Sequence, residues 1–147
     1  NITFFHSLIS KLRVAKELGM VLGTDDVIKF DLVIVCITKS KSETLGLIYD
    51  SLQLIKPKGV VVLEGPKKAG IDSIAKKLGE TIAIDSSFSK GHGKIIFIKA
   101  PKVIPDTIIE WRNFKKSKRN SEGFFTVPGI FSPNNIDHGK AYKKVAL

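Results

Sequence analysis

Residues 30–65, FDLVIVCITKSKSETLGLIYDSLQLIKPKGVVVLEG, constrain the fold of this chain more than any other stretch. The run opens with Val33, Ile34, Val35 and Ile37, β-branched and continuously apolar, which predicts a strand buried on both faces. Ser40 and Glu43 then stand three residues apart, as in a capping box at a helix start. Leu45, Ile48, Leu52 and Ile55 recur on one helical face, and Pro57 closes the helix. Lys58-Gly59 turns the chain into a second apolar run, Val60–Leu63. This is the pattern of a β-α-β unit with parallel strands.

The flanks read as completions of that unit. Ahead of it, apolar residues at spacings of three and four over Phe4–Leu18 predict an amphipathic helix ending near Gly19. Met20–Leu22 follows as a short strand and 23–26 as a turn. Behind it, Ile71, Ile74, Ala75 and Leu78 predict a short helix ending at Gly79. Thr81–Ile84 and Lys94–Lys99 read as two strands, with Ser86–Gly93 as the hairpin loop between them. Pro101 and Pro105 bracket a connecting stretch, Thr107–Phe114 reads as a helix, and Gly123–Val127 as a strand.

Composition narrows the partners. The 147 residues suit one domain, and 24 Lys plus Arg against 14 Asp plus Glu leave a net charge of +10. Such an excess favours solubility or a polyanionic partner, nucleic acid above all. The longest apolar run is far too short to span a bilayer, so no membrane partner is expected. Cys36 is the only cysteine, which excludes an intrachain disulfide and fits a cytoplasmic protein. Lying in an apolar run, it reads as a buried thiol. The three histidines, His6, His92 and His138, are isolated, and no metal signature is present.

Two sets of residues stand out as candidate sites. Lys39, Lys41, Glu64, Lys67 and Lys68 follow the carboxyl ends of the two strands, where open α/β sheets bind ligands. They are an anion- or nucleotide-facing rim or simply polar loop residues. The run Trp111-Arg112-Asn113-Phe114-Lys115-Lys116-Ser117-Lys118-Arg119 sets five cations beside two aromatics. Cations neutralise phosphates and aromatic rings stack on unpaired bases. A solvated linker is the other reading, and the i, i+3 spacing of Trp111 and Phe114 also suits docking on a core.

Strand, helix, K-P-K-G turn, strand, helix and hairpin follow in the order of the second half of a class I S-adenosylmethionine-dependent methyltransferase. Phe125–Gly139 resembles the T-x-P-G-V-F-S-x-x-x-x-D-x-G-S signature that opens the catalytic domain of bacterial small-subunit rRNA guanine-N2 methyltransferases. Thr38-Lys39-Ser40-Lys41 and Gly70-Ile71-Asp72-Ser73 resemble the P-K-x-K and G-(I/V)-x-S of the degenerate first domain of that tandem-domain family. The sequence departs at Thr38, where the family carries Pro, and at Lys140, where it carries Ser. The donor-binding D-x-G-C-G-x-G and catalytic N-P-P-F occur nowhere in these residues.

The resemblance implies a Rossmann-like α/β fold, a degenerate or partial methyltransferase-type sheet, mostly parallel with an antiparallel carboxyl-terminal hairpin. It divides the chain into a degenerate domain over 1–100, a basic linker over 101–122 and the start of a truncated catalytic domain over 123–147. It implies a non-catalytic domain, inactive alone, that supports a catalytic domain of the same polypeptide and binds ribosomal RNA or the small subunit. S-adenosylmethionine would belong to the parent enzyme and not to this chain. The expected RNA contacts are Arg112, Lys115, Lys116, Lys118 and Arg119. Lys39, Lys41 and Glu64 would form a vestigial rim, and Asp137 and Gly139 the edge of a donor-domain motif. The alternatives are a small enzyme binding a nucleotide or the methyl donor, and a protein-interaction domain.

Overall fold

The computed structural model describes residues 2–6, 9–23, 28–120 and 123–126. A short parallel pair, β1 (Thr3–Phe4) and β2 (Val21–Leu22), is joined by helix α1 (Ile9–Glu17). The predicted amphipathic helix is therefore shorter than its apolar spacing suggested. Phe4 belongs to a strand, and Val14 and Leu18 are exposed. The unit touches the rest of the protein where Phe5 meets Phe30 edge-on, ring centroids 6.1 Å apart.

The main body is a four-stranded sheet. Strand β3 (Phe30–Cys36) leads into helix α2 (Lys41–Leu54), and β4 (Ile55–Pro66) returns parallel to β3. Ser40 caps α2, its hydroxyl accepting from the Glu43 amide at 3.2 Å. Helix α2 ends at Leu54, ahead of Pro57, and Ile55 stays buried as the chain turns into β4. The register shifts between Phe30 and Leu32, so residues 56–59 bulge out of the ladder. Lys58 lies at φ 66, and a Cβ on Gly59 would come within 2.9 Å of the Asp31 carbonyl oxygen. The Pro-Lys-Gly turn thus needs its glycine to let two backbones meet.

Gly70, at φ 91, swings the chain into helix α3 (Ile71–Gly79), which buries Ile71, Ile74, Ala75 and Leu78 as its period predicts. Strands β5 (Ser86–Lys90) and β6 (Gly93–Lys99) form an antiparallel hairpin turning at Gly91-His92, and β6 inserts between β4 and β5. The order β3-β4-β6-β5, with only β6 reversed, is the mostly parallel arrangement expected. The third strand is displaced: Ser86–Lys90, read as a loop, is a strand, and Thr81–Ile84 is not. Ile82 and Ile84 pack on the core as a connection instead.

Helices α2 and α3 cover one face of the sheet. Val35, Ile37, Val61, Leu63, Ile96 and Ile98 meet Leu45, Ile48, Leu52, Ile71, Ile74 and Leu78 there. Among the described residues the opposite face is open, with Leu32 53% and Ile34 61% exposed beside exposed Ile95 and Phe88. Burial on both faces of β3 is corrected accordingly. Cys36 is on the open side and exposed, not buried.

Helix α4 (Asp106–Ile109) runs into a 3-10 turn, Glu110–Lys115, that packs on α2. Ile108 and Trp111 join the same core. A two-residue pair, β7 (Lys118–Arg119) and β8 (Phe125–Thr126), ends the described chain. Val127, the last residue of the predicted final strand, and the Pro128–Gly139 signature with Asp137 and Gly139 lie outside the described residues.

Candidate nucleic-acid interface

The rim at the carboxyl ends of β3 and β4 is built from one self-contained loop and several lysines. The Thr38 amide donates to Thr44 Oγ1 at 3.0 Å, and the Thr38 hydroxyl donates to the Ser40 carbonyl at 3.1 Å. Thr44 is fully buried, so the bond from the Thr38 amide satisfies a hydroxyl that would otherwise be stranded in the core. Lys41 donates to Ser73 Oγ at 2.9 Å, bringing together the two segments that resemble the degenerate-domain motifs. The polar groups of residues 38–41 thus bond within the loop, to α2 or, for Lys41, to α3, and Lys39 is exposed.

Glu64 faces Cys36 across the strands, on the open side of the sheet. Partial desolvation, then a hydrogen bond and negative charge from Glu64, push the Cys36 thiol up to about 11. At neutral pH it is a protonated thiol and a poor nucleophile. Lys67 and Lys68 are exposed in the short 3-10 turn after β4. Lys94 pairs with Asp72 at 2.9 Å and its hydrogen bond holds that carboxyl below the usual range. His92 is exposed at the hairpin turn, its carbonyl accepting from the Lys67 amide at 2.7 Å.

The basic run divides at Lys115. Trp111 is 3% exposed and sits in the core. Lys77 from α3 lies over both rings, 6.0 Å from the Trp111 centroid and 5.9 Å from that of Phe114. Lys115 forms an ion pair with Asp50 of α2, and its aliphatic stem fills the space where Gly46 lacks a side chain. A Cβ there would lie 2.2 Å from Lys115 Cγ. The two aromatics and one of the five predicted RNA contacts are therefore engaged with the body of the protein.

The other four cations are free of carboxylates among the described residues. Arg112 lies in the 3-10 turn beside buried Trp111, and Lys116 follows the turn, both exposed. Lys118 and Arg119 form β7, where the Arg119 guanidinium lies 5.3 Å from the centre of the Phe125 ring. Phe124 and Phe125 are 53% and 72% exposed. Reading Gly123–Val127 simply as a strand missed these aromatics. The available signal was two adjacent phenylalanines closely following a basic run.

Comparison with known proteins matches residues 5–89, more than half of the chain, to the methyltransferase small domain N-terminal family. Ribosomal RNA small subunit methyltransferase C of Buchnera aphidicola subsp. Baizongia pistaciae is 31% identical over 110 residues, 74% of this chain and 33% of that protein. Its namesake from Psychromonas ingrahamii is 29% identical over 115 residues, again 33% of its length. The chain thus spans about a third of the curated relatives it matches. Among solved structures, T. thermophilus 16S rRNA N2 methyltransferase RsmC, in complex with AdoMet and guanosine, superimposes with a TM-score of 0.67 at 14% identity. That alignment covers 92% of this chain and 39% of the other. The N-methyltransferase NodS from Bradyrhizobium japonicum gives 0.51 at 12% identity, covering 68% and 73%. These two likenesses speak for the fold, a class I methyltransferase-type sheet, and the sequence match gives the affiliation: the chain belongs to the methyltransferase small domain N-terminal family.

Proposed function

We propose that this chain is the non-catalytic amino-terminal part of an rRNA guanine-N2 methyltransferase, and that it supports the catalytic domain and holds RNA. One observation carries the reading. At the carboxyl end of β3, where catalytic members of the fold place substrate-facing groups, Thr38, Ser40 and Lys41 bond to one another's segments and to Thr44 and Ser73. The loop is built to hold itself rather than a reacting amine.

The same rim suits the methyl donor poorly. S-adenosylmethionine carries a sulfonium cation, and Lys39, Lys41, Lys67 and Lys68 make the edge cationic. Glu64, the carboxylate at the end of β4, is turned to the open sheet face beside Cys36. No methyl-transfer step is assigned to these residues. The donor belongs to the catalytic domain of the parent protein, whose opening the 123–147 segment would supply. Residues 1–100 form the degenerate domain and 101–122 the basic connection, fastened at Trp111. The cytoplasm is the compartment where such an enzyme meets ribosomal RNA. Among the described residues no helix is long and apolar enough to cross a membrane.

Filter binding of the 147-residue chain to ribosomal RNA fragments at two salt concentrations tests the RNA contact. Binding is expected to weaken as salt rises, and to lose most of that dependence when Arg112, Lys116, Lys118 and Arg119 are all changed to Ala. An unchanged salt slope in that variant overturns the assignment. Calorimetric titration with S-adenosylmethionine is expected to give no binding heat; a saturable heat would favour a small donor-binding enzyme instead.

A further inference from the structure

We propose that Phe125, backed by Arg119, is a stacking platform for an unpaired base, so that the RNA held by this surface is single-stranded. The proposal rests on the RNA-contact reading above and adds the form of RNA and a residue no basic pattern identifies.

The platform is hydrogen-bonded from below. The Asn120 amide donates to the Phe124 carbonyl at 2.9 Å, and the Phe124 amide donates to Asn120 Oδ1 at 2.9 Å. Gly123, at φ 84, donates to the Asn120 carbonyl at 3.0 Å. Thr126 donates its hydroxyl to the Lys118 carbonyl at 3.2 Å. These bonds tie β8 to β7 and fix the Phe125 backbone opposite Arg119. The guanidinium then lies over one side of the ring, 5.3 Å from its centre, while 72% of the residue remains open to solvent.

An exposed phenylalanine needs a partner with an apolar or π surface, and the surrounding charge selects which. Residues 111–126 carry five cations and one carboxylate, Glu122. Lys115 is consumed by Asp50, which leaves Arg112, Lys116, Lys118 and Arg119 free of carboxylates among the described residues, with Lys118 and Arg119 on the strand that pairs with Phe125-Thr126. A polyanion whose repeating unit also offers a flat ring meets both requirements. In duplex RNA the base faces are stacked inside and unavailable, whereas in a single strand they are free for Phe125. Arg119 serves twice, holding the ring by a cation–π contact and facing phosphate with its remaining donors. Trp111 and Phe114 do not compete for this role, since Lys77 and the core occupy them.

The test measures anisotropy of a labelled single-stranded oligoribonucleotide, its duplex, and a version with abasic positions, against the 147-residue chain. The single strand is expected to bind more tightly than the duplex. Phe125→Ala and Phe125→Leu are each expected to weaken single-strand binding about tenfold, with the salt slope unchanged. The abasic strand is expected to bind the wild type about tenfold less tightly and Phe125→Ala no differently from the intact strand. Far-UV circular dichroism checks that both variants fold; Leu keeps an apolar side chain and removes only the ring. Wild-type affinity in both variants, or preference for the duplex, overturns the platform while leaving the phosphate contacts standing. Failure of the wild type to bind any of the RNAs overturns the RNA-contact reading and this proposal together.

Discussion

Residues 111–115 and 116–125 are continuous in sequence and alike in composition, yet the fold puts them to opposite uses. In the first stretch Trp111 is buried, Phe114 packs against the core, and Lys115 reaches Asp50. In the second, Lys116, Lys118 and Arg119 are exposed, and the aromatics Phe124 and Phe125 stand in solvent. A cation beside an aromatic is therefore not a binding signal by itself. What separates engaged groups from free ones is whether the body of the protein already supplies the partner: Lys77 and Asp50 do so for Trp111, Phe114 and Lys115, whereas Arg112 in the same stretch is exposed and free of carboxylates among the described residues.

The contrast predicts different consequences for substitution on either side of Lys115. Trp111→Ala should have the largest effect, a loss of about 3–5 kcal/mol of stability in chemical denaturation, because it leaves a cavity under α2 and α3. A loss below about 1 kcal/mol would erase the distinction. Lys118→Ala with Arg119→Ala should leave the denaturation midpoint nearly unmoved, yet lower the log–log salt slope of single-stranded RNA binding by about 1.4, from two phosphate contacts. A slope equal to the wild type's would make the second stretch a mere solvated tail. Lys115→Ala should have the smallest effect, about 1 kcal/mol or less, since its ion pair with Asp50 is partly solvated. It should not change the salt slope, and a drop of about 0.7 would show that Lys115 leaves Asp50 to meet RNA.

Much of the sheet was legible because its signals are local. The three- and four-residue spacing in α3 and the Ser40 cap of α2 are properties of short windows, and the structure repeats them. The strand Ser86–Lys90 was illegible for the complementary reason. All five of its residues are exposed, so it has no apolar alternation, and it is a strand because β6 offers it hydrogen bonds. Thr81–Ile84 looked more like a strand, but Ile82 and Ile84 satisfy their apolar surface as a connection over the core. For the site, the sequence located the cations and resembled the right family. It did not divide them into engaged and free, because Asp50 lies 65 residues from Lys115.

The same division runs through β3. Its continuous apolar run determined that it would be a strand of an α/β sheet, since backbone geometry and β-branched side chains decide that within a few residues. Whether Leu32 and Ile34 are covered depends on a second surface that no property of β3 specifies, and among the described residues only the α2–α3 side has one. The sequence alone thus determined the β-α-β unit, the helix end at Gly79, and a strong positive charge. Tertiary structure decided which apolar side chains are buried, which lysines are paired and which phenylalanine faces solvent. Burial and ion pairing are relations between surfaces distant in sequence, and only the folded chain brings those surfaces together.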